Sequence, residues 1–137
     1  MRYLAVASAG FIERYFSDGV NANRLAKAPL LVFNDKDALQ QRFMQQIAPQ
    51  TQPLCQHAIP SSICFIEMAK RGLGWGMSPE MLVKDKLESG ELREIIPGMQ
   101  LEVPLYWQHW RINSRGLSAL TQAVRHTAGN HLWPFTD

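Results

Sequence analysis

Residues 56–80, QHAIPSSICFIEMAKRGLGWGMSPE, decide how the chain is read. Gln56 to Ile59 is a short extended run that meets Pro60-Ser61-Ser62, after which Phe65, Ile66, Met68 and Ala69 recur as one buried helix face. Lys70-Arg71 suit the negative end of that helix, and Gly72 stands where a left-handed C′ residue belongs. Leu73-Gly74-Trp75-Gly76-Met77 then reads as a strand whose glycines permit close backbone approach. Ser78-Pro79-Glu80 opens a second helix, with proline at its first position, that runs to about Lys84. Strand and helix alternate here, as they do in α/β layered folds.

The same alternation extends in both directions. Tyr3 to Ala7 is an apolar strand, Ser8 is an N-cap, and Phe11, Ile12, Tyr15 and Phe16 mark a helix that stops by Asp18-Gly19. Leu30-Leu31-Val32-Phe33 is a buried strand. Asn34-Asp35-Lys36-Asp37 leads from it into a helix striped by Leu39, Phe43 and Ile47 and closed by Pro49. On the C-terminal side, Glu88 to Leu92 is a turn, Arg93 to Ile96 a short edge strand, and Pro97-Gly98 the clearest internal break. Val103 to Ile112 reads as an aromatic-rich strand, and Leu117, Leu120, Val124 and Ala128 mark a last amphipathic helix ending at Gly129. Together these elements predict an α/β fold with a largely parallel sheet and a boundary near Pro97.

At 137 residues, 46% hydrophobic and 19% charged, the chain can bury a core and is too apolar for disorder. Fourteen Lys and Arg oppose twelve Asp and Glu without forming a basic block, which argues against nucleic-acid contact. No run approaches the roughly 20 apolar residues of a membrane helix, and the N-terminal apolar stretch is too short for a signal peptide. A soluble, cytoplasmic protein is expected. Cys55 and Cys64 form no CxxC pair, fit a reducing compartment and are expected to serve packing.

Candidate chemistry concentrates at helix starts. In α/β folds, loops at the carboxyl ends of strands carry ligands, and those loops begin here at Ser8, Asn34 and Ser61. Free N–H groups and a side-chain hydroxyl there suit the carboxylate of a small organic acid or amino acid, although Ser and Asn are also ordinary N-caps. Asp37 is read as serving the helix dipole, while Asp35 is open to either role. His57, His109, His126 and His131 include no pair three or four apart, so neither a metal nor another cofactor is predicted. His57 with Cys55 or Cys64 lacks a third, orienting group for nucleophilic catalysis. Gly72-Leu73-Gly74-Trp75-Gly76 sits before and inside a strand rather than between strand and helix, so it is no phosphate loop. Trp107, Trp110 and Arg111 are explained by a strand packed beneath the last helix.

Ala58-Ile59-Pro60-Ser61-Ser62, Arg71 to Glu80 and Ser89-Gly90-Glu91-Leu92 resemble the core of the LysR-type effector-binding domain, and Tyr3 to Phe11 looks like the crossover by which that family enters its second subdomain. Val103 to Trp110 and Gly116 to Val124 are similar to the C-terminal segment of the family's arginine and lysine export regulators, also described as inhibitors of chromosome replication initiation. The resemblance implies a periplasmic-binding-protein-like (type 2) fold. Residues 1–97 would form the second subdomain, and residues 98–137 the return strand and C-terminal helix of the first. It implies no enzyme but an effector sensor for lysine or arginine, a cleft lined by Ser8, Asn34, Asp35, Pro60, Ser61 and Ser62, and a homodimer or higher oligomer. The family's winged helix-turn-helix is not found in these 137 residues, so DNA contact is expected only through that region. A cleft shared with residues outside this stretch implies that these residues alone bind the effector weakly if at all, whereas the full-length regulator binds it well. A free-standing amino-acid-binding module of the same architecture is the alternative.

Overall fold

The computed structural model describes residues 1–110 and 114–134. Its elements are β1 (Arg2–Ala7), α1 (Ala9–Phe16), α2 (Ala22–Lys27), β2 (Leu30–Val32), α3 (Leu39–Ile47), β3 (Gln56–Ala58), α4 (Ser62–Lys70), β4 (Gly76–Pro79), α5 (Glu80–Ser89), β5 (Arg93–Glu94), β6 (Gln100–Glu102) and α6 (Arg115–His131).

β1 organises the sheet. It pairs antiparallel with β4 on one side, Tyr3 opposite Pro79 and Val6 opposite Gly76, and with β5 and β6 on the other. β2 runs parallel to β3, and a parallel bridge from Leu30 to Trp75 joins it to the approach of β4. The largely parallel sheet expected from the sequence is therefore corrected to a mixed one, and the cause is α2. A single helix between strands turns the chain twice and returns the next strand parallel; two helices turn it three times and return the next strand antiparallel. α2 carries no apolar stripe to announce it. It is set by Asn21, whose side chain accepts the Arg24 N–H at 3.0 Å, and is anchored by the buried Leu25.

Both faces of β1 are covered, which is why its sequence is continuously apolar rather than alternating. Ala5 and Ala7 pack with Phe11, Phe16, Leu25, Phe43, Trp75 and Met77, while Leu4 and Val6 pack with Leu31, Phe65, Ile66, Val83 and Leu92. α4 starts as read, Ser61 accepting the Cys64 N–H, and Gly72 takes the left-handed conformation at φ 75°. α5 starts later and runs further than expected. Ser78 belongs to the strand, and the helix continues to Ser89 because Val83 and Leu87 both reach the second core.

Beyond β6 the expectation fails in part. Residues 103–110 form no strand, and Arg111 and Ile112 lie outside the described residues. Trp107 donates its indole N–H to Thr121 of α6 at 3.3 Å, but Tyr106, Trp110 and Leu120 are exposed rather than packed. α6 begins at Arg115, capped by Ser114, and ends at His131 rather than Gly129. Its C-terminal end is held by Trp133, which donates to Glu80 at 3.0 Å and lies beneath the Arg2 guanidinium at 3.7 Å. Both cysteines are exposed, contrary to the packing role read from sequence: Cys55 precedes the wholly exposed edge strand β3, and Cys64 falls on the outer side of α4.

Candidate functional site

Because β2, β3 and β4 share a direction, their carboxyl ends lie together, and a cavity of about 370 Å³ opens there. Phe33, Asn34, Lys36, Asp37 and Leu39 enter its wall from the loop after β2, Ser62, Phe65 and Ile66 from the start of α4, and Met77, Ser78 and Pro79 from the end of β4. Tyr3 and Leu82 complete it; Tyr3 is present because the amino end of antiparallel β1 lies beside the carboxyl end of β4. A wider, more open groove of about 590 Å³ between α5 and the end of α6 has no such relation to the strand ends.

Asp37 is the most extensively hydrogen-bonded side chain on the cavity wall. Its Oδ2 accepts the Phe33 N–H at 2.8 Å and the Gln40 side-chain N–H at 3.1 Å, and its Oδ1 accepts the Leu39 N–H at 3.2 Å. The sequence suggested only a helix-dipole role for it; the structure gives it that role and a place on the wall. Burial, reinforced by the negative charge of Asp37, pushes the Tyr3 hydroxyl above its ordinary pKa of 10.0, so the phenol stays a neutral donor at physiological pH. Ser78 is 1% exposed, yet it borders the cavity. The sequence concealed it by placing Ser-Pro-Glu where a helix cap would stand.

Of the residues expected at the site, Asn34 and Ser62 are on the wall. Asn34 does not cap α3: its side chain accepts the Lys36 N–H at 2.9 Å within a turn, and Ala38, without a side-chain hydrogen bond, occupies the N-cap. Asp35 is exposed and does not line the cavity, and neither do Pro60 and Ser61, which adjoin Ser62. Ser8 caps α1 through the Phe11 N–H at 3.2 Å and sits near Gly72, at the opposite end of the sheet. Its loop follows the carboxyl end of β1, and β1 runs against β4, so three helix N-termini do not converge. Cys55 Sγ and His57 Nε2 approach to 3.6 Å on the exposed edge, outside the cavity wall.

An apolar floor with a fixed carboxylate on one loop, a lysine on the same loop and a helix start opposite suits a small zwitterion carrying a second positive charge. Fold and cavity thus define a small-molecule-binding α/β domain of the periplasmic-binding-protein-like (type 2) kind. The chain belongs to the LysR family, whose substrate binding domain matches residues 1–129. It is 42% identical over 134 residues to the HTH-type transcriptional regulator ArgP of Pseudomonas fluorescens strain Pf0-1, covering 98% of this chain and 45% of that protein. The C-terminal domains of a LysR family protein from Agrobacterium tumefaciens superpose with a TM-score of 0.92 at 39% identity, covering 98% of this chain and 65% of that one. Full-length LysG from Corynebacterium glutamicum, with bound effector Arg, superposes with a TM-score of 0.87 at 36% identity, covering 98% of this chain and 46% of that one. The chain spans under half the length of the ArgP relative. Among the described residues no helix is long and apolar enough to cross a membrane.

Proposed function

We propose that the chain is the effector-sensing part of a cytoplasmic LysR-type transcriptional regulator, that its effector is lysine or arginine, and that it acts by binding rather than by catalysis. The observation that carries this reading is the Asp37 carboxylate, fixed by three N–H groups on the wall of a cavity at the strand carboxyl ends. Asp37 would accept the ammonium or guanidinium of the side chain, while Lys36 and the start of α4 at Ser62 would face the carboxylate; Asn34, Tyr3 and Ser78 supply further polar contacts. Asp35, Pro60 and Ser61 flank this set, and Ser8 has no part in it. The arginine bound by the Corynebacterium relative supports the choice of effector. The family match suggests residues 1–97 as the second subdomain and 98–137 as the return into the first, with β6 still paired to β1 and Leu101 in the core that β1 shares. A homodimer or higher oligomer and DNA contact through a region outside these residues complete the proposal.

The test is an NMR-detected titration with arginine, lysine and citrulline, the neutral near-isostere of arginine, because it reads weak affinities and locates the perturbed amides. Asp37→Asn should weaken arginine by about tenfold or more, since hydrogen bonds to charged groups contribute about 1.5–3 kcal/mol, and should change citrulline by less than about threefold. Equal losses for arginine and citrulline overturn the reading, as does no response to arginine when these residues are joined to the rest of the effector-binding domain.

A further inference from the structure

Gln40 lies in the first turn of α3 and is 1% exposed. Its amide N–H reaches Asp37 Oδ2 at 3.1 Å, while its own Oε1 has no hydrogen-bond partner among the described residues. The amide orientation is fixed by chemistry, because the carboxylate can only accept and the nitrogen must face it. A residue serving packing alone would be Leu or Met, which fill a similar volume and bring no orphan acceptor; a buried, half-satisfied glutamine costs stability. Among the described residues its side chain makes one hydrogen bond, to the carboxylate of Asp37.

We infer that Gln40 is a positioning residue that sets the charge selectivity of the cavity by holding Asp37 on its wall. Asp37 Oδ2 has two donors, the Phe33 backbone N–H and the Gln40 amide. The Phe33 bond ties it to the β2 loop, and the Gln40 bond ties it to α3 beside the Leu39 N–H that Oδ1 accepts. Without the Gln40 bond the carboxylate is held by the Phe33 and Leu39 backbone N–H groups alone and loses its only side-chain donor on Oδ2 among the described residues, so it can tilt from the place that meets a cationic effector, and only ligands that use the charge lose affinity. The inference rests on the effector reading above, and the two can fail separately.

The experiment compares arginine with citrulline in the wild type, Gln40→Leu, Gln40→Met and Asp37→Asn by NMR-detected titration, with thermal unfolding of each variant. Gln40→Leu should weaken arginine by about tenfold and leave citrulline within about twofold, with a melting temperature equal to or above that of the wild type. Gln40→Met, unbranched and flexible, gives the same comparison if the leucine variant folds poorly. If Asp37→Asn lowers the arginine-to-citrulline affinity ratio and neither Gln40 variant does, the inference is overturned while the effector reading stands. An unchanged ratio in Asp37→Asn removes the reading itself. Lower stability in both Gln40 variants with an unchanged ratio would mean that Gln40 serves the fold alone.

Discussion

Replacing Gly76 by alanine tests the packing that shapes the cavity. A methyl group on Gly76 would stand 2.4 Å from Cζ and 2.8 Å from Cε1 of Phe65, and 3.0 Å from the Leu31 carbonyl oxygen. Carbon atoms rest at about 3.5–4.0 Å, so the ring must withdraw by roughly 1 Å. Leu31 cannot yield easily, because its N–H is held by the Trp75 carbonyl at 2.8 Å and its side chain is fully buried. Phe65 is packed among Leu4, Val6, Ile66 and Val83, and its free side is the cavity it lines. Overpacking of this kind costs about 1–3 kcal/mol, against roughly 0.4–1 kcal/mol gained by restricting the unfolded chain, so the clash wins. A net loss of about 1–2 kcal/mol is expected in urea unfolding followed by tryptophan fluorescence. Removing the clashing end of the ring in Phe65→Leu should make the double variant more stable than the two separate losses predict, by about 1 kcal/mol. Gly76→Ala as stable as the wild type, or strictly additive losses, would refute the close approach.

Two further outcomes are expected. Lys70 Nζ lies 2.6 Å from Glu91 Oε2 and 3.0 Å from Glu67 Oε1; the bond to Lys70 holds the Glu91 carboxyl below its ordinary 4.5, and the bonds to Glu91 and then Glu67 hold Lys70 above its ordinary 10.5. Glu91's contribution is present above about pH 4.5 and lost as pH falls through its lowered value, while Lys70's is present below about pH 10.5 and lost as pH rises through its raised value. The stability difference between the wild type and Lys70→Met should therefore be constant near neutrality and shrink at both extremes; a difference that stays constant into acid contradicts the pairing. Tyr106, Trp110 and Leu120, 74%, 82% and 51% exposed, present large apolar side chains to solvent, and such exposure favours association. Sedimentation velocity should show dimers or larger species that Trp110→Ser together with Leu120→Ser reduce; a monomer at all concentrations tells against it.

Much of the local structure was legible because its causes are local. Ser8 and Ser61 cap their helices through N–H groups three residues on, Gly72 closes α4, and the apolar run of β1 marks a strand covered on both faces. α2 was illegible because six residues with one buried leucine carry no periodicity. The strand read at Val103 to Ile112 was a plausible apolar pattern, but over residues 103–110 no strand among the described residues pairs with it. Ser78 gave a misleading signal, since Ser-Pro-Glu suits a helix cap as well as a strand end.

The sequence by itself determined the α/β class, the family and the loops from which a site would be drawn, because periodicity, caps and short motifs are written in neighbouring residues. Which loops meet was decided by the tertiary structure. The additional reversal contributed by α2 runs β1 against β2 and β4, so Ser8 goes to the far end of the sheet and Tyr3 comes to the cavity. The two aspartates, two positions apart in sequence, are also placed differently by the tertiary structure. The turn from Asn34 to Lys36 leaves Asp35 in solvent, while the Phe33 and Leu39 N–H groups and the Gln40 amide gather around Asp37 and fix its carboxylate on the cavity wall. That arrangement depends on where a strand end and a helix start are brought together in space, and spacing along the chain does not record it.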